Sequence, residues 1–224
     1  MNATERARKV AHLVGLYPIV DDAPGRWHDL RAVLESTLRA GARVVQLRLK
    51  HTRDRDALEL ARWAVARAHA ASALLIVNDR LDLASLCRAD GVHLGTDDLP
   101  PEQVPPELRR ELLVGLSTHT LDQVLASRTR PVDYIGFGPI FGTRSKASEY
   151  APRGVELLAR AVREAATPVV AIGGIDAKGL GPVARTRVSA CAVISALADA
   201  PDPGRATTDL QALFDAERLS SPGE

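Results

Sequence analysis

Cysteine is nearly absent from this 224-residue chain: only Cys87 and Cys191 occur, far apart and each in apolar surroundings. Two such thiols suit buried free cysteines and supply neither a disulfide framework nor a metal cluster. A charge imbalance is missing too, with 29 basic side chains against 28 acidic and a formal net charge of +1. The chain therefore has no electrostatic footprint for nucleic acid or an anionic membrane, and any anion site must be local. No apolar run approaches the roughly 18 residues needed to cross a bilayer. The first dozen residues, MNATERARKVAH, lack the apolar centre of a signal peptide. These absences predict a cytoplasmic protein with no nucleic-acid and no membrane partner. The sequence alone does not assign an oligomeric state. A glycine fingerprint after the first strand candidate is also lacking, which counts against a doubly wound dinucleotide-binding sheet.

What is present is a regular beat. With 46% hydrophobic and 25% charged residues the chain can bury a substantial core. Strand-type runs occur at 13–20, 42–50, 73–79, 91–95, 112–119, 133–140, 168–174 and 190–196. Helical spacing or caps place helices at 27–40, 54–71, 80–88, 102–110, 120–127, 154–165 and 210–219. Eight strand units with short connections predict a single (β/α)8 barrel over 13–219, an α/β TIM barrel, with a doubly wound open sheet as the alternative. Residues 1–12 read as an N-terminal extension and 220–224 as a C-terminal tail.

The stretch 133–146, DYIGFGPIFGTRSK, is a strand delivering a polar loop. Gly136, Gly138 and Gly142 let backbone approach a ligand, Thr143 and Ser145 offer hydroxyls, and Lys146 offers a compact positive charge for a phosphate oxygen. A glycine-rich surface connection with a solvated lysine is the alternative. In 42–50 a period of two puts Gln46, Arg48 and Lys50 on one face of a strand. That face is either solvated or, in a barrel under helices, aimed into a pocket. Asn78 and Asp79 end the third strand, Asp97 and Asp98 follow the fourth, and Ser117, Thr118 and His119 end the fifth. Gly173 and Gly174 end the seventh, and Ile194 and Ser195 the eighth. All fall at the carboxyl ends, the face on which barrels build active sites. Asp79 and Asp98 could instead be helix caps, and His93 a satisfied polar residue of the barrel interior. Cations at 48, 50 and 146 suit a diphosphate, and Asp79 with Asp98 suit magnesium bridging to it. The backbone at 173–174 and 193–195 suits a phosphate monoester. A diphosphate beside a monophosphate predicts an alkyl transfer with pyrophosphate as leaving group.

The motifs VQLRLK, IVNDRLDLA, ADGVHLGTDDLP, GLSTHT, DYIGFGPIF, AIGGI and AVISA occur in that order between Leu16 and Ala196, and through them the chain resembles the thiamine-phosphate synthase family. The resemblance implies a (β/α)8 barrel that couples hydroxymethylpyrimidine diphosphate to thiazole phosphate with Mg²⁺, releasing pyrophosphate through a dissociative step. It implies that Gln46, Leu47, Arg48, Leu49, Lys50, Asn78, Ser117 and Lys146 contact the pyrimidine diphosphate. Of these, Arg48, Lys50, Lys146 and Ser117 would act in catalysis. Thr143, Arg144, Ser145, Gly174, Ile194 and Ser195 would hold the thiazole phosphate, and Asp79 and Asp98 the metal.

The chain departs from the family pattern at Leu49 (usually Glu), Gly142 (usually Pro), Ser145 (usually Thr) and the turn 184–189. By alternation, position 49 faces the helices, so that change concerns packing. The polar run 143–153 predicts a loop that orders over the substrates. Two other functions share the motifs: a thiazole tautomerase, and a non-catalytic barrel that binds thiamine phosphate. Retention of Arg48, Lys50, Asp79, Asp98 and Lys146 argues against the tautomerase, which has no diphosphate to grip.

Overall fold

The structure is a computed structural model that describes residues 1–24, 28–142 and 150–220. Eight parallel strands close into one barrel in sequence order: β1 (Gly15–Asp21), β2 (Val44–Arg48), β3 (Leu74–Asn78), β4 (Gly91–Leu94), β5 (Leu113–Thr118), β6 (Tyr134–Phe137), β7 (Val169–Ile172) and β8 (Ala190–Val193). Every residue of β1, β6 and β8 is buried, as parallel strands covered by helices require. The register puts Gln46 opposite Ile19 and Ile76, and His93 between Asn78 and Gly115. Alternate residues fill the interior, among them Tyr17, Ile19, Val44, Ile76, Leu113, Tyr134 and Val170. The remaining strand residues pack outward with the helices.

The crossovers are α2 (Leu30–Arg39), α3 (Asp54–Ala70), α4 (Leu81–Cys87), α5 (Pro106–Glu111), α6 (Leu121–Ser127), α7 (Gly154–Glu164) and α8 (Ala177–Arg185); β8 is followed by α9 (Ser195–Ala198) and α10 (Pro203–Leu219). The pattern of apolar residues leaves α8 out, because Gly179, Gly181 and Pro182 interrupt it. The helix forms because Asp176 accepts hydrogen bonds from the backbone N–H groups of Lys178 and Gly179, and because Leu180, Val183 and Ala184 are buried. The expected helix at 102–110 is split into a 3-10 turn at Pro101–Gln103 and α5, since Pro105 and Pro106 cannot donate to a continuous helix. The final helix starts seven residues earlier than residue 210, at Pro203, because Asp202 caps it and Pro203 takes the first helical position. Strand eight stops at Val193, and Ser195 opens α9 instead of ending a strand.

Residues 3–10 form α1 (Ala3–Val10), capped by Asn2. Its Arg6 grips both carboxylate oxygens of Asp133, at 2.6 and 2.5 Å, and Lys9 pairs with the buried Asp90 at 2.8 Å. Asp90 and Asp133 immediately precede β4 and β6, so α1 lies across the amino-terminal mouth of the barrel, where Met1 and Val10 meet the interior cluster. Cys87 and Cys191 are free and buried, and burial raises both thiols. Among the described residues no helix is long and apolar enough to cross a membrane.

Candidate active site

A cavity of about 500 Å³ opens at the carboxyl ends of the strands. Gln46 and Arg48 from β2, Asn78 from β3 and Ser117 from β5 line it, together with Gly173, Gly174, Ile194 and Ser195 beyond β7 and β8. The period-two face of β2 is thus a pocket face and not a solvated one. Leu47 and Leu49 pack outward in the helix-side cluster, so any contact of theirs with a ligand is confined to backbone. Thr143, Arg144, Ser145 and Lys146, with most of the expected covering loop, lie outside the described residues.

Arg48 is held by the buried Asp21, 3.7 Å away. Lys50 lies just past the end of β2, and its ammonium group pairs with the carboxylate of Asp79. The turn that carries Lys50 is built by Asp22, whose carboxylate accepts from the backbone N–H groups of Lys50, His51 and Thr52 at 2.7–2.8 Å and from the Thr52 hydroxyl at 2.8 Å. Burial acts to raise the Asp22 carboxyl, but these hydrogen bonds outweigh it and hold the group below the ordinary aspartate value.

Asp79 directly follows β3 in the left-handed backbone region, φ 61°, which aspartate tolerates better than most residues. Asp98 Oδ2 accepts from the Gly95 N–H at 2.6 Å. Neither is a helix cap, because the cap positions nearby are Arg80 and Pro100. Instead the two carboxyl groups lie within hydrogen-bonding reach of one another: burial first, and then the Asp79 carboxyl, raises Asp98 above the ordinary range. Two carboxyls so close favour a shared proton or a cation. Among the described residues no group of three metal-ligating side chains occurs. Magnesium needs none, since it is commonly held by one or two carboxylates with waters and substrate phosphates.

Beyond β7, Gly173 and Gly174 have φ values of 104° and 64°. A side chain on Gly173 would come within 2.6 Å of Pro139, and one on Gly174 within 2.9 Å of Phe141. Only glycine lets this backbone pass beneath the β6 loop and face the cavity.

Several lining residues carry no obvious chemical motif. All three tyrosines of the sequence, Tyr17, Tyr134 and Tyr150, face the cavity. A tyrosine inside a barrel strand must find a partner for its hydroxyl, and that was the available signal. His93 is both satisfied and at the site: Nδ1 lies 3.1 Å from the Tyr134 hydroxyl and Nε2 lies 3.0 Å from Ser117 Oγ.

Fold and site together define a (β/α)8-barrel enzyme with its polar groups gathered at the carboxyl face. The family model described as thiamine monophosphate synthase matches residues 16–197, and the chain belongs to that family. It is 43% identical over 218 residues to the thiamine-phosphate synthase of Anaeromyxobacter dehalogenans, covering 97% of this chain and 96% of the relative. It is 40% identical over 207 residues to that of Chloroflexus aurantiacus, covering 91% and 95%. Among solved structures, thiamine phosphate pyrophosphorylase from Pyrococcus furiosus superposes with a TM-score of 0.83 at 33% identity, covering 93% of this chain and 98% of that one.

Proposed function

We propose that the protein is a thiamine-phosphate synthase, joining 4-amino-2-methyl-5-hydroxymethylpyrimidine diphosphate to thiazole phosphate and releasing pyrophosphate. The observation that carries this reading is that one cavity gathers the polar side chains of β2, β3 and β5 opposite the glycine backbone beyond β7, in a chain of this family. The first group would take the pyrimidine diphosphate: Gln46, Asn78 and Ser117 around the ring and its substituents, and Arg48 and Lys50 on the diphosphate, with Lys146 joining from the β6 loop. The second group, Gly174, Ile194 and Ser195 with Thr143, Arg144 and Ser145, would take the thiazole phosphate.

Asp79 and Asp98 fit a magnesium ion, which would supply charge neutralisation to the diphosphate oxygens. Lys50, now on Asp79, is then available to the same phosphates. The carbon–oxygen bond to the diphosphate breaks with both electrons leaving on pyrophosphate. The aminopyrimidine stabilises the resulting methylene cation, and the thiazole nitrogen donates its lone pair to form the new carbon–nitrogen bond. The protein's share is orientation, exclusion of water and stabilisation of the departing charge.

The test is a mass measurement of product and single-turnover pyrophosphate release for the wild type and Lys146→Ala. Thiamine phosphate should form, and the variant should release pyrophosphate roughly 10²-fold more slowly with thiazole phosphate affinity unchanged. Isomerised thiazole phosphate without coupling would assign a tautomerase, and binding without turnover a carrier. A fall of less than about threefold in Lys146→Ala would remove Lys146 from the charge-stabilising set.

A further inference from the structure

Five side chains from five strands form an unbroken hydrogen-bonded chain across the floor of the cavity. Gln46 Nε2 donates to the Tyr17 hydroxyl at 3.1 Å, and the Tyr17 and Tyr134 hydroxyls are 2.9 Å apart. Tyr134 meets His93 Nδ1 at 3.1 Å, and His93 Nε2 meets Ser117 Oγ at 3.0 Å. The register makes room for it. A side chain at Gly115 would strike the Tyr134 ring and come within 2.6 Å of His93 Nδ1, and one at Gly136 would sit 3.1 Å from His93 Cε1.

Counting protons gives the chain a direction. Each phenol has one proton to donate. Burial pushes Tyr17 up to about 12 and raises Tyr134 well above 10, so both remain protonated at neutral pH. The Tyr17 oxygen already receives a proton from Gln46, and Tyr134 is its remaining partner, so Tyr17 donates to Tyr134 and Tyr134 donates to His93 Nδ1. A neutral imidazole that accepts at Nδ1 carries its proton on Nε2 and gives it to Ser117 Oγ. The opposite order would leave the buried Tyr17 proton without an acceptor among the described residues, which is costly.

We propose that Tyr17 and Tyr134 are positioning residues for the reaction: they lock His93 in its Nε2–H tautomer, so that Ser117 accepts a hydrogen bond from His93 and keeps its own proton for an acceptor atom of the substrate. The Ser117 proton is thereby available to a heteroaromatic ring nitrogen or a diphosphate oxygen, which the opposite tautomer would deny by taking that proton for His93. This rests on the proposed role of Ser117 as a contact of the pyrimidine diphosphate.

Nitrogen-15 NMR of histidine-labelled wild-type protein tests the tautomer without any turnover. The His93 signals, identified by their loss in His93→Asn, should show a protonated Nε2 and an unprotonated Nδ1. Tyr134→Phe should abolish that preference. Kinetically, Tyr134→Phe should lower kcat/KM for the pyrimidine diphosphate about tenfold in the wild type and less than about twofold in a Ser117→Ala background. KM for thiazole phosphate should not move. A wild-type Nδ1–H tautomer overturns the proposal even if Tyr134→Phe does not fold, as do equal losses in the two backgrounds. Failure of the wild type to couple the substrates would refute the proposed function and leave the tautomer result standing on its own.

Discussion

The ring of Tyr150 is stacked on the imidazole of His119, with centroids 4.1 Å apart and planes 16° from parallel. His119 is itself pinned, its Nδ1 lying 2.7 Å from the Gly138 carbonyl oxygen, and the Arg153 guanidinium sits 5.0 Å from the centre of the tyrosine ring. The stack ties the approach to α7 onto the end of β5 and makes Tyr150 a wall of the cavity. Such an aromatic contact is worth about 1 kcal/mol. Tyr150→Ala should therefore leave the fold intact and raise KM for at least one substrate about fivefold. Steady-state kinetics beside a thermal melt check this; an unchanged KM for both substrates would reduce Tyr150 to a packing contact.

Asp98→Asn removes a carboxyl group that burial and the neighbouring Asp79 carboxyl raise, while the Gly95 N–H keeps an oxygen acceptor. An aspartate whose folded value is raised loses stability as pH rises past its ordinary value near 4, so the variant should be at least as stable as the wild type at pH 7. Its response to magnesium should weaken. Melting with increasing magnesium and diphosphate would show the midpoint rise saturating at roughly tenfold higher magnesium than in the wild type; identical curves would take Asp98 out of the metal site.

Asp22 behaves in the opposite sense. Its folded value is depressed, so its contribution is fully present above the ordinary aspartate value of about 4 and is lost as pH falls through the lower folded value. Asp22→Asn should cost about 1 kcal/mol at pH 7, a modest figure because the group is only partly buried. Urea unfolding at pH 7 and near pH 3 should show the gap from wild type shrinking at the acid end. The variant should also bind diphosphate more weakly, because the turn carrying Lys50 loses its organiser.

At the other end of the barrel, Arg6 holds Asp133 and the carbonyl oxygens of Leu112 and Arg109. Asp133 is nearly buried, and loss of the guanidinium would leave it with only the Val114 N–H among the described residues. Arg6→Ala should cost about 2 kcal/mol, below the full scale for a buried pair because Arg6 is itself partly exposed. The rate per folded molecule should not change. Urea titration with an activity assay separates the two, and an unaltered midpoint would make α1 a mere appendage.

Local sequence determined the repeat of eight strands, the placing of Leu47 and Leu49 on one face of the second strand and of Gln46 and Arg48 on the other, and the clustering of polar residues after strands three to eight. Each follows from a short-range rule, period two in strands or cap chemistry at helix starts, and needs no knowledge of what packs where. The ordered family motifs added the reaction class. Only the closed barrel decided the rest. It brought Asp79 within hydrogen-bonding reach of Asp98, removing the choice between helix cap and paired carboxylate. It joined Tyr17 to Tyr134, which lie 117 positions apart in the chain, and showed His93 to be satisfied and at the site at once. It also formed α8 through Gly and Pro, because burial against the barrel and the Asp176 cap outweigh weak local propensity. Contacts of that kind depend on which strands become neighbours when the sheet closes, and a single strand's periodicity carries no record of its neighbours' register.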